Sequence, residues 1–494
     1  MQRAIFHNFL GSSPNWYKFL IIGFLVINPL ALWTLGTFIT GWILVLEFIF
    51  TLAMALRCYP LQPGGLIALE ALLLGMSSPE HVLQEILHNI EVILLLMFMV
   101  TSIYFMRDLL LFIFTRLLLG IRSKRLLSLL FCGAAAVLSA FLDALTVTAV
   151  LIAVVTGFYQ VYQKSLAAQP EKFQGEYGAV LASEKEQDLA KFRLFLCDLV
   201  MHGLVGTALG GVSTLVGEPQ NLLIAKRLDW NFMEFYLQMA PVSMPVLGIG
   251  LVTCFLLEVT GLFGYGVQLP ESARQVMQRH YREQQAHFGI REQTLLITQA
   301  VIALILVFSL AFHIAAVGLI GLTIIVLLTS FTGVVEERKL APAFEEAMPF
   351  TALLVVFFAI VAVIADQGLF SPVMQWALGM EGERRTGTLF IASGILSMVS
   401  DNVFVGTVYI NELAKNHAAG IINRADFERL GVAINAGTNI PSVATPNGQA
   451  AFLFMLTSGL APMIQLSYLR MVWMALPYTV MLSMMAFIAL FTIL

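Results

Sequence analysis

Two aspartates stand where a charge is costly. Asp143 is in the middle of Leu138-Ser139-Ala140-Phe141-Leu142-Asp143-Ala144-Leu145-Thr146-Val147-Thr148, part of an apolar run long enough to lie in a membrane. Asp401 is placed likewise in Leu396-Ser397-Met398-Val399-Ser400-Asp401-Asn402-Val403-Phe404-Val405. After each comes a stretch dense in Gly, hydroxyl, amide and Pro: Gly210 to Asn221 after the first, Gly437 to Gly448 after the second. A carboxylate at the bilayer midplane costs about 2.5–3.5 kcal/mol on insertion scales, and it persists where it pairs, faces water or binds a cation. Burial penalises its charged form, so one group can hold either H⁺ or Na⁺. That competition is the simplest physical basis for exchanging the two ions. Na⁺ is hard and favours oxygen ligands. Broken helices supply freed carbonyls, and Ser213, Thr214, Asn221, Thr438, Asn439, Ser442, Thr445 and Asn447 add side-chain oxygens. Thr146 and Asn402 lie beside the two aspartates. Pro219 and Pro446 remove a backbone donor and expose a carbonyl one turn back. Gly210, Gly211, Gly437 and Pro441 complete the breaks. Glu218 reads either as a further ion ligand or as the cap of a half-helix.

The composition says what must carry these segments. The chain has 494 residues, of which 59% are hydrophobic and only 12% charged, with a mean hydropathy of +0.86. Soluble proteins carry roughly 25% charged residues, so too little polar surface remains for a water-soluble globule. Several apolar runs exceed the roughly 20 residues needed to cross a bilayer. They are continuous, where a β-barrel would alternate. The chain is an all-α polytopic membrane protein on this reading. No basic run points to nucleic acid. The N-terminus lacks a cleavage site after a short apolar core, and Trp16–Phe38 reads as the first span. Cys58, Cys132, Cys197 and Cys254 are scattered, without metal or disulfide spacing. No nucleotide loop, zinc motif or nucleophile elbow is present, so neither ATP-driven pumping nor hydrolysis is supported and no cofactor is implied.

Taken in order, spans are expected near 17–36, 39–57 and 62–77, then a polar break from Ser77 to Gln84. The segment 88–119 is interrupted by Arg107-Asp108. The apolar segment 126–162 fits a hairpin that enters and leaves on one side, with Asp143 at its tip; such backbone is allowed at depth only where protein or a wet cavity satisfies it. A hydrophilic loop at 163–194 precedes the span 195–226 with its break, the span 236–262 and a second loop at 263–292. Spans near 293–312, 314–333 and 346–367 and a short apolar piece at 370–379 lead to the second hairpin, 386–412. A loop at 413–428, the broken segment 429–463 and a last span at 468–494 follow. The total is about eleven spans and two hairpins. Most of the 27 Lys and Arg residues fall on the side of the N-terminus and of Arg122-Ser123-Lys124-Arg125, which makes that side cytoplasmic. Asp198 and His202, four apart on one helix face, read as a satisfied pair.

The halves repeat. An offset of 258 positions superposes Asp143 on Asp401, and with them Leu138/Leu396, Ser139/Ser397 and Val147/Val405. An offset of 227 superposes Pro219 on Pro446, Gly210 on Gly437 and Val216 on Val443. The difference matches the length of the 163–194 loop. By the span count the two units have opposite orientation. Inverted repeats with Gly/Pro-interrupted spans at corresponding positions point to the binding site of a secondary transporter.

These stretches resemble the NhaB family of Na⁺/H⁺ antiporters, within the ion transporter superfamily. The resemblance rests on Phe141-Leu142-Asp143-Ala144-Leu145-Thr146-Val147, Val216-Gly217-Glu218-Pro219-Gln220-Asn221, Ser400-Asp401-Asn402-Val403-Phe404-Val405-Gly406-Thr407 and Asn439 to Ala450. Gly11 to Lys18 and Met471 to Tyr478 are similar to the family as well. The resemblance implies an antiporter, not an enzyme, of the bacterial inner membrane. It would export Na⁺ and Li⁺ against entering H⁺, electrogenically and by alternating access, in a homodimer within the lipid bilayer. It implies a scaffold (1–125 and 236–385), a transport unit (126–235 and 386–463) and a C-terminal span (464–494), with Na⁺ held at Asp143 and Asp401. Moving more H⁺ than Na⁺ needs a second titrating group, and Asp401 is the best placed by sequence. The competing reading is a Na⁺-coupled anion or dicarboxylate carrier of the same superfamily. It would need a cationic or amide-rich pocket, and the four site segments contain no Arg or Lys.

Overall fold

A computed structural model describes residues 2–168, 176–286 and 288–492. Every regular element among them is helical. Eight helices are long and apolar enough to cross a membrane, and the bent pair Pro79–His88 and Ile90–Tyr104, at 63° to each other, would make a ninth. The polar break expected from Ser77 is thus mostly a helix, started by Pro79 and capped by Ser78, whose Oγ accepts from His81 N.

The first long helix, α1 (Asn15–Ala53), is two arms. At Gly36, φ 81° and ψ 175° break the helix, a conformation that glycine takes without a steric penalty. The arms fold back on each other: Asn28 Nδ2 donates to Glu47 Oε2 at 2.8 Å, and the rings of Tyr17 and Phe50 lie 6.0 Å apart. Along a straight helix Asn28 and Glu47 would be about 28 Å apart.

The first aspartate sits between α2 (Lys124–Leu142) and α3 (Ala144–Ala168). The chain reverses there. Lys124, at the start of α2, reaches Asp198, and Tyr159, late in α3, accepts from Arg193; both partners lie on α4 (Glu176–Gly211). The outer ends of the pair therefore stand beside one short stretch of a third helix, and Asp143 is the tip.

Helices α2 and α4 run in parallel, and their contact explains the glycines of α4. Gly203, Gly206 and Gly210 face Phe131, Cys132, Ala135 and Ala136. Small residues at this spacing let backbones approach, the usual device of membrane helix pairs. At Gly210 a Cβ would run into the Ala136 carbonyl group, and backbone cannot give way. Gly210→Ala is therefore expected to cost about 1–3 kcal/mol by overpacking. It should appear as a lower melting point and a smaller monodisperse fraction of detergent-purified protein. Unchanged melting would mean that α2 and α4 are not in contact there.

After a non-helical stretch the path of α4 resumes as α5 (Pro219–Leu228), followed by α6 (Phe232–Thr260). The long helix α7 (Glu337–Asp366) precedes the second aspartate, which caps α9 (Asn402–Ala418) after α8 (Glu383–Ser397). Then come α10 (Arg424–Asn439), a 3₁₀ turn at Pro441–Ala444, α11 (Ala450–Thr457) and α12 (Tyr468–Thr492). The outer ends of the second hairpin lie beside the far end of α5. Arg424 donates to the Leu228 carbonyl, and Arg385 lies 3.7 Å from Asp426 on α10. The bases of the two hairpins thus flank opposite ends of the α4–α5 path.

The hydrophilic loops are shorter than their composition suggests. Most of 163–194 continues α3 and α4, and 169–175 lie outside the described residues. The loop 263–292 holds the helix Glu271–Ala286, with Ala273 and Met277 buried against the bundle. Of 413–428, α9 takes the residues to Ala418, and Asn423 caps α10.

Candidate functional site

Each aspartate caps the second helix of its hairpin. Asp143 Oδ2 accepts from Leu145 N at 3.1 Å and Thr146 N at 3.4 Å. Asp401 Oδ1 accepts from Val403 N at 2.8 Å and Phe404 N at 3.3 Å. The two tips differ in backbone. Asp401 has an ordinary capping conformation, φ −68° and ψ 137°, whereas Asp143 has φ 60° and ψ 139°. A non-glycine residue held there costs of order 1–3 kcal/mol, and such strain clusters at functional sites.

Both tips are tied to the helix breaks by the same device. Thr214 donates to the carbonyl of Ala140, three residues before Asp143, and Thr445 donates to that of Met398, three residues before Asp401. Ala144 N also donates to Gly217 O at 3.3 Å. The gap between α4 and α5 runs from Val212 to Glu218, so Gly210 and Gly211 close one helix while Pro219 and Asn221 open the next. In the second break Gly437, Thr438 and Asn439 end α10, and Pro441 starts the 3₁₀ turn before Pro446.

The two breaks meet through buried side chains. Gln220 Nε2 donates to Asn439 Oδ1 at 2.9 Å, and Asn439 Nδ2 donates to Asn221 Oδ1 at 3.0 Å. Asn221 in turn donates to the carbonyls of Gly211 and Thr214, both at 2.7 Å, two of the groups that the break leaves free. Gln220, outside the ligand set expected from the sequence, is thus a fastener between the halves. Its place inside the polar break was the available signal. The packing crosses over: α5 lies on α9 of the second hairpin, and α11 lies on α3 of the first.

The remaining candidates divide by what already binds them. Ser213 Oγ donates to Leu209 O at 3.3 Å, Thr438 Oγ1 to Asn435 O at 3.1 Å and Ser442 Oγ to Asn439 O at 2.6 Å. These hydroxyls keep lone pairs. Asn402 accepts from Ser397 Oγ at 2.7 Å and donates to Ser442 Oγ at 3.3 Å. Asn447 Nδ2 donates to Ala53 O at 3.1 Å, which ties the second break to α1. Buried oxygens without a hydrogen-bond partner here include Thr146 Oγ1, Glu218 Oε1, Gln220 Oε1 and Asn447 Oδ1. Buried polar atoms are normally paired, and each of these oxygens can ligate a cation or accept a hydrogen bond.

Two cavities serve the site. A small one, about 10 Å³, is lined by Leu145, Glu218, Gln220, Asp401 and Asn402 among others; that is about the room of one water. A larger one, about 520 Å³, reaches from Thr146, Asp401 and Asn447 past Phe350 to Tyr59, Glu345 and Glu346. Its mouth lies by the loop after α1 and the start of α7. Asp366, at the other end of α7, pairs with His81 at 2.9 Å. His81 belongs to the helix whose end meets Arg227 of α5. The vestibule therefore opens at the end of the bundle that holds the base of the first hairpin. No Lys, Arg or His lines either cavity among the described residues.

Asp198 and His202 are paired, as their spacing suggests, within a larger buried cluster. Lys124 Nζ lies 3.1 Å from Asp198 and 2.8 Å from Glu258, and His202 Nε2 lies 2.9 Å from Glu258. Ser128 donates to Glu258, and Tyr478 meets His202 Nδ1 at 2.6 Å. The two acids and the imidazole are close enough to hold a metal ion. The Lys124 ammonium already supplies the cation between the carboxylates. The cluster ties the base of the first hairpin to α4, α6 and α12.

The family model described as Bacterial Na⁺/H⁺ antiporter B (NhaB) matches residues 1–494. A Saccharophagus degradans protein named Na(+)/H(+) antiporter NhaB is 60% identical over 485 residues, 98% of this chain and 97% of its own. Proteins of the same name from Pseudomonas fluorescens and Teredinibacter turnerae are 58% and 59% identical, each over 99% of this chain and 98% of their own.

Proposed function

The chain belongs to the NhaB family of bacterial Na⁺/H⁺ antiporters, and from that premise we propose how it exchanges the two ions. It is a multi-pass protein of the bacterial inner membrane and a transporter by family, not an enzyme. Na⁺ and H⁺ compete for the carboxylates of Asp143 and Asp401 at the tips of two hairpins that enter the membrane from opposite faces. The carrying observation is the meeting of these tips and both helix breaks around cavities that no cationic side chain lines among the described residues. An anion carrier of the same superfamily would need a cationic or amide-rich pocket, and the full-length match to a Na⁺/H⁺ antiporter family sets that alternative aside.

On this reading Na⁺ at the first tip takes ligands from Asp143, Thr146 and the carbonyls of the first break. Ser213, Thr214 and Asn221 shape that break. At the second tip Asp401 is joined by Asn402, Ser442, Thr445 and Asn447, with Thr438 and Asn439 behind them. Li⁺, a smaller hard cation, takes the same place. Residues 126–235 and 386–463 move as the transport unit against a scaffold built mainly from 1–125 and 236–385, in each half of a homodimer. The crossed packing of α5 on α9 and of α11 on α3 supports the inverted repeat. With the N-terminus cytoplasmic, eleven spans and two hairpins account for the chain, and the vestibule is the cytoplasmic approach of an inward-open state. The decisive test is collapse of a respiratory ΔpH in everted vesicles by Na⁺ and Li⁺. Collapse by a dicarboxylate instead would overturn the reading.

The hairpins have a test of their own. In a background with Cys58 replaced by Ser, cysteines at exposed Ser123 and Lys164 should both react from the cytoplasmic face. Cysteines at Glu383 and Lys415 should both react from the periplasmic face. Reaction of either pair from opposite faces would make that segment a simple span.

A further inference from the structure

Gln220 is fully buried, yet only one end of its amide is used: Nε2 donates to Asn439 Oδ1, and Oε1 has no partner. Backbone groups decide which end that is. Asn221 Nδ2 donates to the carbonyls of Gly211 and Thr214, which can only accept, so its Oδ1 faces Asn439. Asn439 Nδ2 donates to that oxygen and to the Asn435 carbonyl at 2.8 Å, so its own Oδ1 faces Gln220. The three amides form a relay of fixed sense. Gln220 answers it with its NH₂ and is left with an oxygen, not a donor, at the other end. Its stem lies against α9, where a Cβ on Gly406 would stand only 3.2 Å from Gln220 Cβ.

Gln220 lines the small cavity, of about 10 Å³, together with Glu218, Asp401 and Asn402. The two halves share this space: Glu218 and Gln220 come from the first break, Asp401 and Asn402 from the second hairpin. Glu218 stands before α5 without capping it, and its Oε1 is unpartnered too. Gly217 approaches Gly211 so closely that a Cβ would not fit, and this turn directs the carboxyl away from the helix. On the other wall Asp401 takes both capping bonds at Oδ1, and Asn402 Oδ1 accepts from Ser397 and keeps a lone pair. A buried oxygen without a partner is costly. Oxygens of four residues border a space the size of one water, with no Lys, Arg or His around it among the described residues. A small dehydrated cation suits that space and satisfies both unpartnered oxygens. A water there would satisfy them as well, but it would leave Gln220 outside the ion path.

We propose that Gln220 Oε1 is a ligand of the cation held at Asp401, so that the first half of the chain completes the ion site of the second and sets its preference between Na⁺ and Li⁺. This rests on the assignment of Asp401 as an ion carboxylate. Gln220 then has two duties: Nε2 fastens the breaks to each other, and Oε1 binds. An amide suits the place, because it adds an oxygen without adding a further charge to a buried region that already holds Glu218 and Asp401. Na⁺ is larger than Li⁺ and takes more ligands, so Na⁺ depends more on the added oxygen.

The test measures exchange by purified full-length protein in proteoliposomes as a function of Na⁺ and of Li⁺ concentration. Q220M keeps the length and bulk of the side chain and removes its oxygen. It should raise the half-saturating Na⁺ concentration by about tenfold or more, as loss of one bond to a charged group does. The Li⁺ value should rise by a smaller factor, so that the preference shifts toward Li⁺. Loss of the fastener alone would lower the melting point of the purified variant and leave the ratio of the two values where it was. An unchanged Na⁺ value would overturn the proposal and leave the cavity to water. A rise for Li⁺ equal to or greater than that for Na⁺ would overturn it too. If Q220M does not yield monodisperse protein, Q220N, which keeps the amide and withdraws its oxygen by one methylene, is read by the same criterion. D401N separates the two levels. An unaltered Na⁺ dependence in D401N sinks the assignment of the second tip itself, whereas a weakened one beside an unchanged Na⁺/Li⁺ ratio in Q220M sinks only the role of Gln220.

Discussion

Asp143→Asn is expected to reduce Na⁺-driven H⁺ exchange by about 100-fold or more while leaving the protein folded. The two halves of that expectation have separate causes. The fold survives because Asn keeps an oxygen to accept from Leu145 N and Thr146 N, the bonds that start α3. Asn also tolerates positive φ better than most residues, which matters at φ 60°. Transport is lost because a neutral amide cannot trade H⁺ for Na⁺. At an effective dielectric of about 20, two opposite unit charges 4 Å apart attract by about 4 kcal/mol. Loss of even 2.8 kcal/mol of that, by rough reckoning, is about a hundredfold in affinity. ²²Na⁺ uptake and ΔpH collapse in proteoliposomes would read the effect, with melting of the purified variant as the check on folding. Wild-type-like exchange in a folded D143N would remove Asp143 from the ion path.

Asp401→Asn is the companion experiment, and it separates charge from capping more cleanly. Asp401 has an unstrained backbone, and Asn caps a helix about as well as Asp. If its whole duty were to hold Val403 N and Phe404 N, the substitution would change nothing. If it is the second Na⁺ carboxylate, the half-saturating Na⁺ concentration should rise by about tenfold or more, a loss of at least 1.4 kcal/mol, and maximal exchange should fall. Full exchange at wild-type Na⁺ concentrations would reduce Asp401 to a cap. The stability of D401N should match that of the parent either way, so a deficit in transport reports on the ion and not on the fold.

The contrast between the tips was not legible in the chain. Asp143 and Asp401 look equivalent under the 258-residue offset, and both do cap their hairpins. Only the backbone angles set Asp143 apart, and these follow from how α2 and α3 are held by α4. The hydrophilic segments went astray for a related reason. Composition marks 163–194 and 263–292 as solvated, but solvated residues of good helical propensity extend helices as readily as they form loops.

What the sequence determined by itself is the part of the design that rests on local chemistry. Its hydropathy demands a membrane protein. An acid in the middle of a long apolar run demands a reversal or a partner, and Gly/Pro-rich polar stretches cannot continue a helix. Those constraints marked Asp143 and Asp401, where one helix ends and the next begins, and the two interrupted stretches that follow them. The tertiary structure decided which of those groups meet. That Thr214 closes on the Ala140 carbonyl, that Gln220 fastens Asn439, and that Lys124 neutralises Glu258 all depend on residues 74 to 219 positions apart. No local rule encodes such pairings, because they arise when helices pack. Glu218 is the clearest case. Its neighbours in sequence suit a helix cap, and only the close approach of Gly217 to Gly211 turns its carboxyl away from the helix and toward the small cavity that Asp401 and Leu145 line.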